Sequence, residues 1–168
     1  MTLDEGPASP DLALEEERLV TFLERQSALV LAVSPDGEAV PEIGSLPFVH
    51  HEGALWVLAS ELAAHTRPLL DRGVARVALL ADQSATRNPF ARERAHWVVQ
   101  VESVAREAPR FAEVTAQLRE RHGKTVDLLC GLGDFHLLGL RLGVGSYVNG
   151  FGSAFELGGL SLQRHRRN

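Results

Sequence analysis

Hydrophobic and polar positions change period along this chain several times, and each change marks an element. Ser9-Pro10 reads as an N-cap followed by proline at the first helical position. From Asp11, Leu12, Leu19, Phe22 and Leu23 keep helical spacing while Glu15, Glu16 and Glu17 take the wet side, which predicts a helix to about Gln26. Ser27 to Val33 is a short apolar run of strand character. Pro35-Asp36-Gly37 is a turn signal, after which GEAVPEIGSLPFVHH returns as the second strand of a hairpin. Pro41 and Pro47 mark edges or bulges in it, because proline donates nothing to a ladder. Glu52-Gly53 turns the chain into the strand ALWVLAS.

The period lengthens after Ser60. Leu62, His65, Leu69 and Leu70 fall near one helical face, and Gly73 stands where a helix C-cap belongs. ARVALLAD follows as a buried strand, QSATRNPFARE as a polar connection and ERAHWVVQVESVARE as a long alternating strand. APRFAEVTAQLRERHG predicts a helix with Phe111, Val114 and Leu118 inward. A short segment around VDLLCGLGD leads to two last strands, DFHLLGLRLG and SYVNGFGSAFEL. In the latter the glycines kink the strand, and Gly150 and Gly152 share one face with Phe151 on the other, leaving a side free for a planar ligand or a partner backbone.

About six or seven strands and three helices joined by hairpin turns predict a mainly β protein, an antiparallel barrel with helices packed at its ends. Residues 9–158 form the expected domain, between a flexible tail over 1–8 and a basic tail over 159–168.

Composition narrows the function. The 168 residues carry a formal net charge of −5, which speaks against a nucleic-acid backbone as partner. A single cysteine, Cys130, excludes an internal disulfide and reads as a buried, inert thiol suited to a reducing compartment. The acidic N-terminus carries no signal-peptide pattern and no apolar run reaches membrane-spanning length, so a cytoplasmic address without membrane insertion is expected. The glycines around Ser146 follow a strand without opening a helix, which excludes a dinucleotide fingerprint or a P-loop, and neither a nucleophile elbow nor a zincin motif occurs. His50 and His51, adjacent on a strand, face opposite ways and read as a barrel-rim pair.

SLPFV at 45–49, ASELAAHTRPLL at 59–70, RNPFARERAHWVVQVESVA at 87–105, DFHLLGL at 134–140 and YVNGFGSAFEL at 147–157 occur in this order. Together they resemble the HugZ/HutZ-type haem-utilisation proteins, a branch of the pyridoxamine 5′-phosphate oxidase-like FMN-binding split barrels. The resemblance implies a homodimer of six-stranded split barrels with two equivalent ligand sites at the dimer interface. It also implies haem as ligand, and a haem-binding protein of haem-iron utilisation.

Through the resemblance, His165 is the candidate axial ligand to haem iron, and Arg164, Arg166 and Arg167 are candidates to pair with the propionates. The segment between GFGSAFEL and this histidine is shorter than the family pattern. Asp134 is the acid that would accept a bond from the imidazole N–H and make it more basic; the alternative is a solvated acid at a strand start. Ser60, His65, Thr66 and Arg67 occupy the place where flavin-binding relatives grip the FMN phosphate, and Arg92 and Arg94 open the long strand toward ligand or solvent. The flavin pattern wants lysine near this turn, and the one lysine of the chain is Lys124. Three readings stay open: a haem-degrading oxygenase supplied by an external electron donor, an FMN-dependent oxidoreductase, and a non-catalytic haem carrier or store.

Overall fold

The computed structural model describes residues 11–151 and 153–166. The expected tail over 1–8, the Ser9-Pro10 cap, Gly152 and Arg167 lie outside the described residues. Thirteen elements among the described residues include four α-helices: α1 (Leu12–Arg25), α2 (Thr66–Arg72), α3 (Pro109–His122) and α4 (Thr125–Gly131). The strands are β1 (Ala28–Val33), β2 (Glu42–His51), β3 (Ala54–Ser60), β4 (Val74–Leu80), β5 (Arg94–Val104), β6 (Phe135–Gly150), β7 (Ser153–Gly158) and β8 (Ser161–Arg166). A 3-10 turn spans Pro89–Ala91.

The strands run in the order β3-β2-β1-β4-β5-β6-β7-β8, and β3 also pairs with β6. That extra pairing closes β1 to β6 into a six-stranded antiparallel barrel, as the family resemblance implies, and leaves β7 and β8 as an extension from β6. Closure removes the free edges of the six barrel strands, while β8, paired with β7 alone, is the outer edge of the extension. Pro47 is accommodated because β2 changes partners there: it pairs with β1 through residues 42–47 and with β3 from Phe48 onward. The missing amide therefore faces a place where β2 has one neighbour.

Leu29, Leu31 and Val33 of β1, Val77 and Leu79 of β4, Trp97 and Val99 of β5, and Tyr147 of β6 fill the barrel. α1 packs on this core through Leu19, Phe22 and Leu23. A second cluster, with Trp56, Val114, Leu118 and Leu137, joins α3 and α4 to the opposite face of β3 and β6.

Four elements depart from the periodicity. The cap of α1 is Asp11, whose carboxylate accepts from the Ala13 amide at 3.0 Å. α2 starts only at Thr66, so Leu62, assigned above to its inner face, is 91 % exposed in the preceding turn. VDLLC is helical, as α4. The break foreseen between DFHLLGLRLG and SYVNGFG is absent; both belong to the 16-residue β6, and the chain reverses at Phe151 into β7. Gly143 and Gly145 are consequently not turn residues. They face the β5 backbone where its register shifts between Trp97 and Val99, and a Cβ on Gly145 would lie 2.2 Å from the His96 carbonyl oxygen.

The segment read as a basic tail carries β8, antiparallel to β7. The Leu162 amide donates to Glu16 of α1 at 2.7 Å, and the Trp97 indole donates to the Gly159 carbonyl at 2.8 Å in the β7–β8 turn.

Candidate functional site

Alternation in β1 turns Leu29, Leu31 and Val33 inward and Ala28, Val30 and Ala32 outward. The ladder registers extend that outer face into one continuous row. Ser45 of β2 neighbours Val30 of β1, which neighbours Ala78 of β4. Ala78 neighbours His96 of β5, and then come Ser146 of β6, Glu156 of β7 and Arg164 of β8. One half of this row is small and apolar; Val30 is 38 % exposed, with Ile43 and Leu80 exposed on the same face. The other half is polar and bears cations.

Over the polar half lies a cleft of about 440 Å3, lined by Arg76, His96, Ser146, Glu156 and Arg166 above an apolar floor that includes Val98 and Leu157. The Ser146 hydroxyl and His96 Nε2 are 3.0 Å apart. Burial holds the His96 imidazole below the usual histidine range, and the Arg76 and Arg94 guanidiniums push the same way. Glu156 is held by Arg164 at 2.8 Å and approached by Arg166 at 3.8 Å, so its charge is met within the cleft. Its carboxyl is lowered first by the hydrogen bond from Arg164. Arg76, His96 and Ser146 escape a reading of the sequence alone. Each is an outward residue flanked by inward ones, as His96 is by Ala95 and Trp97, but only the register aligns the three.

His165 is half-buried in β8 and lays its ring against Phe155, centroids 5.1 Å apart. Phe155 stacks in turn on Tyr147 at 6.2 Å, and Tyr147 tilts against Phe22 at 6.0 Å, so the histidine ends an aromatic row running from α1 across β6 and β7. Tyr147, fully buried, donates its hydroxyl to Glu93, and burial together with that carboxylate pushes the phenol far above its ordinary range.

Asp134 lies immediately before β6, with its carboxylate 2.6 Å from the Ser60 hydroxyl at the end of β3. Beside it, His136 Nε2 meets Glu61 at 2.7 Å. From Phe135 to Tyr147, the neighbour of Phe155, β6 covers roughly 40 Å of extended chain at about 3.3 Å per residue. Asp134 and His165 therefore stand at opposite ends of the strand and do not meet within one protomer.

His65, Thr66 and Arg67 do not converge. His65 is buried against Gly44, which has no room for a Cβ beside the imidazole, and Thr66 is fully buried. Among the described residues neither His65 Nε2 nor the Thr66 hydroxyl has a hydrogen-bond partner. Burial lowers the His65 pKa against an opposing pull from Glu42. Arg67 points the other way, 78 % exposed and paired with Asp71 at 3.0 Å. Arg92 donates to the Ala81 carbonyl at 2.7 Å, while Arg94 donates to the Arg92 carbonyl at 2.9 Å.

Cys130 is half-buried in α4, and burial pushes its thiol up, in keeping with an inert role. Of the rim pair, His51 joins Glu52 and Glu113 in an exposed cluster, where Arg110 already holds Glu52. Among the described residues no helix is long and apolar enough to cross a membrane.

No family model matches the chain. It is 31 % identical over 147 residues to the haem oxygenase HutZ of Vibrio cholerae, covering 88 % of this chain and 83 % of HutZ. The crystal structure of HutZ, described there as a haem storage protein, superposes with a TM-score of 0.70 and 29 % identity over 76 % of this chain and 89 % of that one. Campylobacter jejuni ChuZ shares the fold with a TM-score of 0.83 at 19 % identity, over 92 % of this chain and 63 % of ChuZ.

Proposed function

The chain belongs to the HutZ-type haem-utilisation proteins, a branch of the pyridoxamine 5′-phosphate oxidase-like split barrels, and on that footing we propose that it binds haem at a homodimer seam and serves haem-iron utilisation. The observation that carries this reading is the mixed outer face, where an apolar patch on β1, β2 and β4 runs in register into a cationic cleft over β4 to β8. A solvent-facing side of an antiparallel sheet is ordinarily polar. Val30, Ile43 and Leu80 break that rule, which favours a self-complementary contact with a second copy.

Haem suits the place where such a seam would meet the cleft: an apolar planar body with two carboxylates matches an apolar floor rimmed by arginine. His165 is the proposed axial ligand, its ring steadied by Phe155 on the face of β8 opposite to Arg166; the cleft of one protomer would therefore receive this histidine from the partner subunit. Arg94 and Arg166 are proposed for the propionates, with Arg92 behind them. Asp134, held by Ser60, would act on the site formed with a partner subunit, since its own His165 is out of reach. When bound, haem would supply the oxygen chemistry of porphyrin cleavage, with electrons from an external donor and the protein working in the cytoplasm. The residues of the chain would hold, orient and partly dehydrate it.

Titration of the purified protein with hemin tests this. A saturating Soret band at one haem per protomer, lost in His165→Ala, is the expected result; addition of ascorbate under oxygen then bleaches the band in an oxygenase and spares it in a storage protein. No Soret shift, or a yellow protein whose FMN is lost in Arg67→Ala, would overturn the reading.

A further inference from the structure

We infer that the cleft over β4 to β8 is a carboxylate-recognition subsite, in which Arg76 and Arg166 supply charge and the paired Ser146 and His96 supply hydrogen bonds. The inference rests on the haem reading and deepens it, because it names the end of the molecule by which an amphipathic tetrapyrrole would be held.

Three features of the cleft argue for it. Arg76 and Arg166 approach from β4 and β8, on either side of His96 and Ser146. The acid that lines it, Glu156, is hydrogen-bonded by Arg164 at 2.8 Å and only approached by Arg166 at 3.8 Å, and Arg76 is in no ion pair among the described residues, so the cleft retains cationic character. The floor, with Val98, Val144 and Leu157, is apolar, which suits an anion attached to a flat apolar body better than a free inorganic one.

His96 gives the subsite a proton linkage. The charged groups facing it are Arg76 from β4, Arg94 from its own strand, Glu156 from β7 and Arg166 from β8. With burial and arginines opposing its protonation, His96 is neutral in the free protein near pH 7. A carboxylate placed beside it favours the imidazolium, so binding takes up a proton from solvent, and affinity rises as pH falls.

The test compares hemin with iron(III) etioporphyrin, which has the same iron and no carboxylates, on the full chain and its Arg76→Gln, His96→Gln and Ser146→Ala variants. Arg76→Gln and His96→Gln are expected to weaken hemin about tenfold, the scale of one charge-assisted hydrogen bond, and to leave iron etioporphyrin unchanged. Between pH 8 and pH 6.5 hemin affinity should rise more steeply for the wild type than for His96→Gln; both keep His165, so iron ligation cancels from the comparison. Ser146→Ala, which alters no charge, should fall between wild type and His96→Gln. Equal hemin affinity in wild type, Arg76→Gln and His96→Gln overturns the subsite while haem binding stands; absence of hemin binding to the wild type overturns both.

Discussion

The Ser60 hydroxyl donates to the Asp134 carboxylate over 2.6 Å and ties the last residue of β3 to the residue that leads into β6. The same hydroxyl oxygen accepts the Leu62 amide at 3.1 Å, and the Glu61 amide donates to the Asp134 carbonyl at 2.9 Å. Asp134 thus has a structural task at the barrel seam whatever else it does. Asp134→Ala should cost about 1–3 kcal/mol, the range for losing a charged hydrogen-bond partner, and lower the melting temperature by roughly 2–10 °C in a chain of this size. Calorimetry checks it, and an unchanged melting temperature would show that the latch contributes nothing.

Two glycines offer a contrast. A Cβ on Gly145 would meet the His96 carbonyl at 2.2 Å, whereas one on Gly131, the last residue of α4, meets nothing within 4 Å. Gly145→Ala is expected to destabilise by about 1–3 kcal/mol or more through overpacking between β5 and β6. Gly131→Ala, at a backbone conformation open to any residue, should be neutral or stabilising by about 0.4–1 kcal/mol. Urea titration of both variants reads the difference directly.

The periodicity carried most of the fold because strands and amphipathic helices announce themselves locally. Leu19, Phe22 and Leu23 of α1, and Ala95, Trp97 and Val99 of β5, are buried as their spacing requires. The failures share a cause. Gly143 and Gly145 read as a strand break, yet their lack of side chains answers a bulge in β5, a partner distant in sequence. β8 reads as a charged tail because Gln163, Arg164 and Arg166 lie on its exposed face; Leu162 and His165 alone turn inward. For the same reason family resemblance singled out His165 and Arg94, whereas His96, Ser146 and Arg76 emerge only when three strands are set side by side. His65, Thr66 and Arg67 illustrate the reverse: three consecutive residues suited to an anion are divided between core and solvent at the start of α2.

Acid should weaken the fold before carboxylates are titrated. Burial lowers the pKa values of His50, His65 and His96. A histidine depressed in the folded state binds fewer protons there than in the unfolded chain, so stability is complete above the unfolded value of about 6.5 and falls as pH drops below it. The melting temperature of the ligand-free protein is expected to decline between pH 7 and pH 5, and His65→Gln should shallow that decline. A flat profile in the wild type would contradict these environments.

Val30 stands outward in the apolar patch, 38 % exposed, where a charged side chain can reach solvent in the isolated protomer. Val30→Glu should leave the circular dichroism spectrum and melting of the protomer nearly intact while shifting its mass in solution from dimer to monomer, because an unpaired charge would be buried in the seam. Light scattering decides this, and a Val30→Glu protein that remains dimeric would remove the β1 face from the interface.

The most direct test of the whole account is native mass spectrometry of the hemin-loaded chain. A dimer carrying two haems, with loading lost when Val30→Glu breaks the dimer, is the predicted result. A monomer that retains one haem, or a dimer that takes up none, would contradict a haem site built at the seam between two copies.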